Sequence, residues 1–140
     1  IIRTSWLYSQ YGHNFLKTIV KHGKAGTHLK ITTEQTGTPT NANDLAAVLL
    51  NLVEKDLNGY GLYHFSNSGM GTWYDFAREI LLQSSDLSAS NLAKTDHYLT
   101  FAKRPEYSVL HTEKLETLLE MEGKDWKESL KGVLEILDKN

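Results

Sequence analysis

Two segments rich in β-branched and aromatic residues, Ile1–Tyr8 (IIRTSWLY) and Leu62–Ser66 (LYHFS), stand far apart in the chain, with two helical stripes between them. That spacing constrains the fold more than any other feature. A tight hairpin cannot join strands so separated, whereas a crossover carrying helices can, so the two strands are predicted to be parallel neighbours in an α/β arrangement.

The intervening and following segments carry their own start and stop signals. After the Ser9–His13 turn, Asn14 is an N-cap type, Phe15, Leu16, Ile19 and Val20 form one helical stripe, and Gly23 and Gly26 close it. Leu29–Thr33 reads as a short strand and Glu34–Thr40 (EQTGTPT) as a turn cluster built on Gly37 and Pro39. Asn41, with Asp44 at the capping-box position, starts a helix running to about Lys55. Thr72-Trp73-Tyr74-Asp75 repeats the capping pattern before a stripe of Trp73, Phe76, Ala77, Ile80 and Leu81. Ser84–Asn91 is a polar connection, and Leu92–Leu110 is expected to be extended around Arg104-Pro105. Two helices finish the chain, Thr112 to about Glu120 and one capped by Asp125 with Glu128, in which Trp126, Leu130, Val133, Leu134 and Leu137 recur at helical spacing.

So few strands make a small sheet with uncovered apolar surface. The chain opens on Ile1-Ile2-Arg3, as if inside a strand, and is expected to be part of a longer protein. Such a surface predicts self-association, or a homodimer, for the isolated chain. A formal charge of −2 leaves no basic surplus for a phosphate backbone, so nucleic acid is not an expected partner. The longest apolar run, Leu45–Leu50, is far short of the ~20 residues that span a bilayer, so no membrane segment is expected. The absence of cysteine excludes disulfides and thiolate chemistry and suits a cytoplasmic location.

No acid, base or nucleophile stands out as catalytic. His13, His22, His28, His64, His97 and His111 include no pair at i, i+4 and no HExxH, so no metal is expected. Gly59-Tyr60-Gly61 and Gly69-Met70-Gly71 leave GxGxxG incomplete and read as turns. A Tyr-x-x-x-Lys pair, in which an ammonium lowers a tyrosine pKa for proton transfer, does not occur; the nearest spacing is Tyr74 with Arg78.

Seven blocks in order carry a resemblance. They are Arg3-Thr4-Ser5-Trp6-Leu7-Tyr8, Asn14-Phe15, Gln35-x-Gly37-x-Pro39-Thr40, Asp44-Leu45-Ala46, Gly61-x-Tyr63-His64-Phe65, Thr72-Trp73-Tyr74-x-Phe76-Ala77 and Arg104-Pro105-x-x-Ser108-x-Leu110. Together they resemble the dTDP-4-dehydrorhamnose reductases, extended short-chain dehydrogenases, over nearly the whole chain. Ser9 stands where that family commonly has Gly, and Glu34 where Asp is common.

The resemblance implies that residues 1–140 form the C-terminal, substrate-binding portion of a Rossmann-type fold, with the strands near 1–8 and 62–66 completing a larger sheet. It places the family's Gly-rich cofactor turn and Tyr-x-x-x-Lys pair upstream of Ile1, leaving no catalytic residue in this chain. The implied reaction is hydride transfer from NADPH or NADH to the C4 carbonyl of dTDP-4-dehydro-6-deoxy-L-mannose, giving dTDP-L-rhamnose.

Trp6 matches the family tryptophan that lies against the deoxysugar, and an indole face suits the apolar side of a 6-deoxyhexose; the alternative is a core strand tryptophan. Thr4 and Ser5 are expected near the nicotinamide end. Arg104, held in an extended segment by Pro105, is expected to fork onto phosphate oxygens, with a surface salt bridge as the alternative. Asn14 is a candidate for the nucleotide diphosphate as well as an N-cap, and Ser108 supports the substrate site. Gln35, Gly37 and Pro39 are expected to shape the loop beneath. Two other readings remain open: a non-catalytic regulatory homologue that binds a partner enzyme, and another sugar-nucleotide epimerase or dehydratase of the same architecture.

Overall fold

The computed structural model describes residues 1–55, 59–96, 102 and 104–139. In chain order the first half comprises β1 (Ile2–Arg3), β2 (Leu7–Tyr8), α1 (Phe15–Lys24), β3 (Leu29–Thr32), β4 (Thr36–Gly37), β5 (Thr40–Asn41) and α2 (Ala42–Glu54). The second half comprises β6 (Tyr63–His64), β7 (Gly71–Thr72), α3 (Trp73–Gln83), a 3₁₀ turn at Ala89–Asn91, β8 (Leu92–Thr95), α4 (Glu113–Leu119) and α5 (Trp126–Asp138). Mixed α/β architecture with five helices matches the sequence expectation.

The parallel neighbours are where the sequence puts them, with Ile2 opposite Tyr63 and Arg3 opposite His64. The continuous strand expected over Ile1–Tyr8 is corrected, however. The chain changes partner: β1 pairs with β6, whereas β2 pairs in parallel with β5, Leu7 opposite Thr40. Between them Trp6 adopts φ +46°, a left-handed conformation unusual for a bulky side chain, and the Thr40 N–H donates to its carbonyl at 3.1 Å. The break re-aims the strand toward a second partner.

The Glu34–Thr40 cluster is likewise more ordered than a turn. Thr36 and Gly37 pair antiparallel with Thr72 and Gly71, which ties the Gln35 loop to the start of α3. β3 runs parallel to β8, Leu29 opposite Leu92 through Thr32 opposite Thr95. The extended stretch expected over Leu92–Leu110 is strand at Leu92–Thr95 and non-helical at 104–110, while 97–101 and 103 lie outside the described residues.

Capping accounts for the helix starts. Asn14 Oδ1 accepts from the Lys17 N–H at 3.2 Å, Thr72 and Asp75 form a reciprocal capping box, and Asp125 Oδ1 accepts from the Lys127 and Glu128 amides. Asn41 also caps α2, accepting from the Asn43 N–H at 2.9 Å. Asp44 does not complete a capping box there. Its carboxylate turns instead to the Asn67 amide at 2.7 Å and to the Ser129 hydroxyl, joining α2 to α5. Gly23 does not close α1 but lies inside it, because α1 crosses α3 so closely that a Cβ there would meet Leu81 Cδ2 at 2.8 Å. Gly26, at φ +64°, supplies the left-handed turn beyond the helix.

Two apolar clusters result. The larger joins Tyr8, Leu16 and Ile19 to Phe76, Ile80 and Leu81 of α3 and to Trp126, Leu130, Val133 and Leu134 of α5. The smaller sets Val48 of α2 and Phe65 against Leu115 and Leu119 of α4. Each such side chain contributes about 1.5–3 kcal/mol on full burial, so the α1–α3–α5 layer is the platform on which the strand ends sit. Leu49, Leu50 and Val53 of α2 are exposed. No helix among the described residues is long and apolar enough to cross a membrane.

Candidate functional site

A cavity of about 600 Å³ opens where β1 breaks, α1 and α3 begin, and the Arg104–Ser108 segment passes. Its position follows from the topology: in α/β folds the ends of parallel strands and the starts of helices leave such a crevice.

The aromatic wall comes from three elements. The Trp6 and Trp73 rings stack with centroids 3.8 Å apart and 14° between planes, and Phe15 tilts onto Trp73 at 4.7 Å. Trp73 Nε1–H donates to Gln35 Oε1 at 3.1 Å. Gly37 lies under Trp6, where any Cβ would come within 2.7 Å of the ring atom Cζ2. Trp6 is half-buried and faces the cavity as well as neighbouring protein, so it is neither a core tryptophan nor a freely exposed one.

Charged residues share the lining. Arg104 and Lys30 are exposed, and both border the cavity. The segment after Arg104 is strapped to β4. The Thr36 N–H donates to the Glu106 carbonyl at 2.8 Å, and the Ser108 N–H and hydroxyl both donate to the Thr36 carbonyl, at 2.9 and 3.2 Å. The strap holds Arg104 at the rim through Pro105.

Among the residues singled out from the sequence, Trp6, Ser5, Arg104 and Ser108 come together around this cavity. Among the described residues the Ser5 hydroxyl makes a long hydrogen bond, 3.5 Å to the Thr38 carbonyl, which a ligand can readily replace. Thr4 is exposed and does not line the cavity. Asn14 does not line it either. Its carboxamide is committed, donating to the Ser9 and Tyr11 carbonyls at 2.8 and 3.0 Å while capping Lys17. Its contribution is to fix the start of α1 and thereby Phe15. Gln35 does more than shape a loop, since it both borders the cavity and holds Trp73.

From the sequence alone Trp73 and Phe15 belong to helical stripes facing the core, and Lys30 is an unremarked strand residue. The available signal was position: Phe15 and Trp73 are the first residues of their helices, and first-turn side chains at strand–helix junctions border the crevice.

Burial pushes the phenol of Tyr8 well above the ordinary range, while the Ser129 hydroxyl opposes this and the Asp44 charge adds to it. No cluster of metal-ligating side chains occurs among the described residues.

Residues 1–139 match the model of the RmlD substrate binding domain, and the chain belongs to that family. A dTDP-4-dehydrorhamnose reductase from Aggregatibacter actinomycetemcomitans is 35% identical, the match covering 95% of this chain and 49% of that protein. The crystal structure of a dTDP-4-dehydrorhamnose reductase from Clostridium acetobutylicum superposes with a TM-score of 0.84 at 38% identity, over 98% of this chain and 48% of that one. The corresponding enzyme of Bacillus anthracis, solved in complex with NADP, gives 0.88 at 31% identity, over 96% and 47%. The chain thus spans about half the length of the relatives it matches.

Proposed function

We propose that this member of the RmlD substrate binding domain family forms the sugar-nucleotide wall of a dTDP-4-dehydrorhamnose reductase acting on dTDP-4-dehydro-6-deoxy-L-mannose. The observation that carries the reading is one cavity lined both by an indole and by an arginine from a strapped segment. An apolar deoxysugar face and a diphosphate are complementary to those two groups.

In this reading the Trp6 ring sets the plane of the sugar, and Arg104, with Ser108 beside it, engages the phosphate oxygens. Asn14 would reach the diphosphate only by giving up a bond to Ser9 or Tyr11. NADPH or NADH would supply the hydride. Ser5, with an exchangeable hydroxyl on the cavity wall, fits the carboxamide edge of a nicotinamide, and Thr4 beside it is the second candidate. The acid that protonates the product oxygen belongs to the half of the relatives' length that these residues do not cover. The work done here is orientation, which lowers a barrier by holding reacting atoms at a fixed approach. A homodimer and a cytoplasmic location belong to the same proposal.

Calorimetry with dTDP and dTDP-L-rhamnose tests the assignment. Arg104→Ala is expected to weaken both ligands by roughly ten- to a hundredfold, the loss of about 1.5–3 kcal/mol for a charge-assisted contact. Trp6→Ala is expected to weaken dTDP-L-rhamnose and spare dTDP. Unchanged dTDP binding by Arg104→Ala would make that arginine a bystander, and equal losses in Trp6→Ala would make the tryptophan a packing residue.

A further inference from the structure

Trp6 holds an unusual backbone conformation at the edge of an open cavity, and something must keep its ring in place. Its φ of +46° is disfavoured for a side chain of that size, so the surrounding contacts have to over-determine it. The Thr40 N–H holds its carbonyl, and Gly37 admits its ring from below. The plane of the indole is matched by Trp73, whose ring lies 14° from parallel with its centroid 3.8 Å away.

Trp73 is itself firmly placed. It is the first residue of α3, directly after the Thr72–Asp75 capping box. Thr72 pairs with Thr36, one residue from the Gln35 whose side-chain oxygen takes the Trp73 indole proton at 3.1 Å. Phe15 packs on its ring at 4.7 Å. A helix start, a strand pair, a hydrogen bond and an aromatic contact thus define one ring, and that ring defines the next by stacking.

We propose that Trp73 is a positioning residue for sugar recognition, locked by Gln35 and Phe15 and setting the plane of Trp6 before ligand arrives. The proposal rests on the sugar-nucleotide reading above and adds a selectivity device to it. With the stack in place, the sugar meets an indole already oriented, and binding does not have to order it. Trp73 covers one face of Trp6, so the sugar is confined to the other face or the edge, which restricts the sugars that fit. The nucleotide end, served in this reading by Arg104, is expected to be indifferent to the stack.

The test uses the intact protein that carries these residues, with three single substitutions, Trp73→Leu, Trp73→Phe and Gln35→Leu, titrated with dTDP and with dTDP-L-rhamnose. Leucine keeps apolar volume without a ring, phenylalanine keeps a ring, and Gln35→Leu removes the latch alone. Trp73→Leu is expected to weaken dTDP-L-rhamnose by about tenfold while leaving dTDP within about twofold. Gln35→Leu should give a smaller loss in the same direction, and Trp73→Phe should recover most of the sugar affinity. Near-ultraviolet circular dichroism, which reads fixed indoles, should lose intensity in Trp73→Leu even where its thermal midpoint equals that of Trp73→Phe. Wild-type affinity for dTDP-L-rhamnose in Trp73→Leu overturns the positioning role and leaves the sugar-nucleotide reading intact. Equal losses for both ligands, or no recovery with phenylalanine, overturn it as well. Failure of the unsubstituted intact protein to bind either ligand overturns the sugar-nucleotide reading and this proposal with it.

Discussion

Gly37 and Trp6 are packed so tightly that a Cβ on Gly37 would stand 2.6 Å from Cε2 of the indole. The requirement is steric, because a Cβ here would overlap Cε2, Cζ2 and Nε1 of an indole that Trp73 stacks on. Gly37→Ala is therefore expected to push Trp6 out of its stack. It should lower stability by about 1–3 kcal/mol, as overpacking does, and weaken dTDP-L-rhamnose more than dTDP. Denaturant unfolding and calorimetry on the same variant check both parts. An alanine variant with unchanged stability and ligand binding would show that the Trp6 ring shifts freely.

Asp44 joins three distant parts of the chain, accepting from Asn67 in the loop after β6 and from Ser129 of α5, while Ser129 accepts from Asn41 Nδ2 at 2.8 Å. Asn67 Oδ1 in turn accepts from the Asn41 N–H at 2.8 Å, so the buried polar groups satisfy one another. Asp44→Ala leaves donors without their acceptor and is expected to cost roughly 1–3 kcal/mol. Asp44→Asn, which keeps an acceptor oxygen, should cost less. Urea titration of both variants decides it; equal stability of alanine and wild type would mean that water replaces the carboxylate.

The buried Tyr8 hydroxyl makes no well-formed hydrogen bond, and burial raises its pKa above the ordinary value of 10.0. The sign follows from proton counting. Above about pH 10 the unfolded chain releases this proton while the folded chain retains it, so stability is full below that pH and falls as pH rises beyond it. The fall contributed by this group is up to roughly 1.4 kcal/mol per pH unit. Tyr8→Phe should be neutral or slightly stabilising at pH 7 and should lose less stability between pH 10 and 11. Parallel unfolding curves for the two proteins across that range would show that the phenol is solvated.

The amino-acid sequence by itself determined what depends on near neighbours. Asn14, Asn41, Thr72 with Asp75, and Asp125 are legible as caps because each acts on an amide two or three residues away. The stripes of α1, α3 and α5 are legible because a helix repeats its buried face every turn. The pairing of β1 with β6 followed from spacing, and seven short blocks in order, RTSW and RPxxS the most specific of them, marked the family. Tertiary structure decided whatever depends on a remote partner. The break at Trp6 exists because β1 and β2 pair with different segments, 63–64 and 40–41. Asp44 left its capping role for Asn67 and Ser129, and Gly23 entered α1 because Leu81 of another helix crosses there. Trp73, one of several apolar residues on the α3 stripe, became a cavity wall because Gln35 and Trp6 were brought to it. Local hydrogen bonds are encoded within a few residues, whereas steric fit and strand partnership exist only once distant segments share a surface.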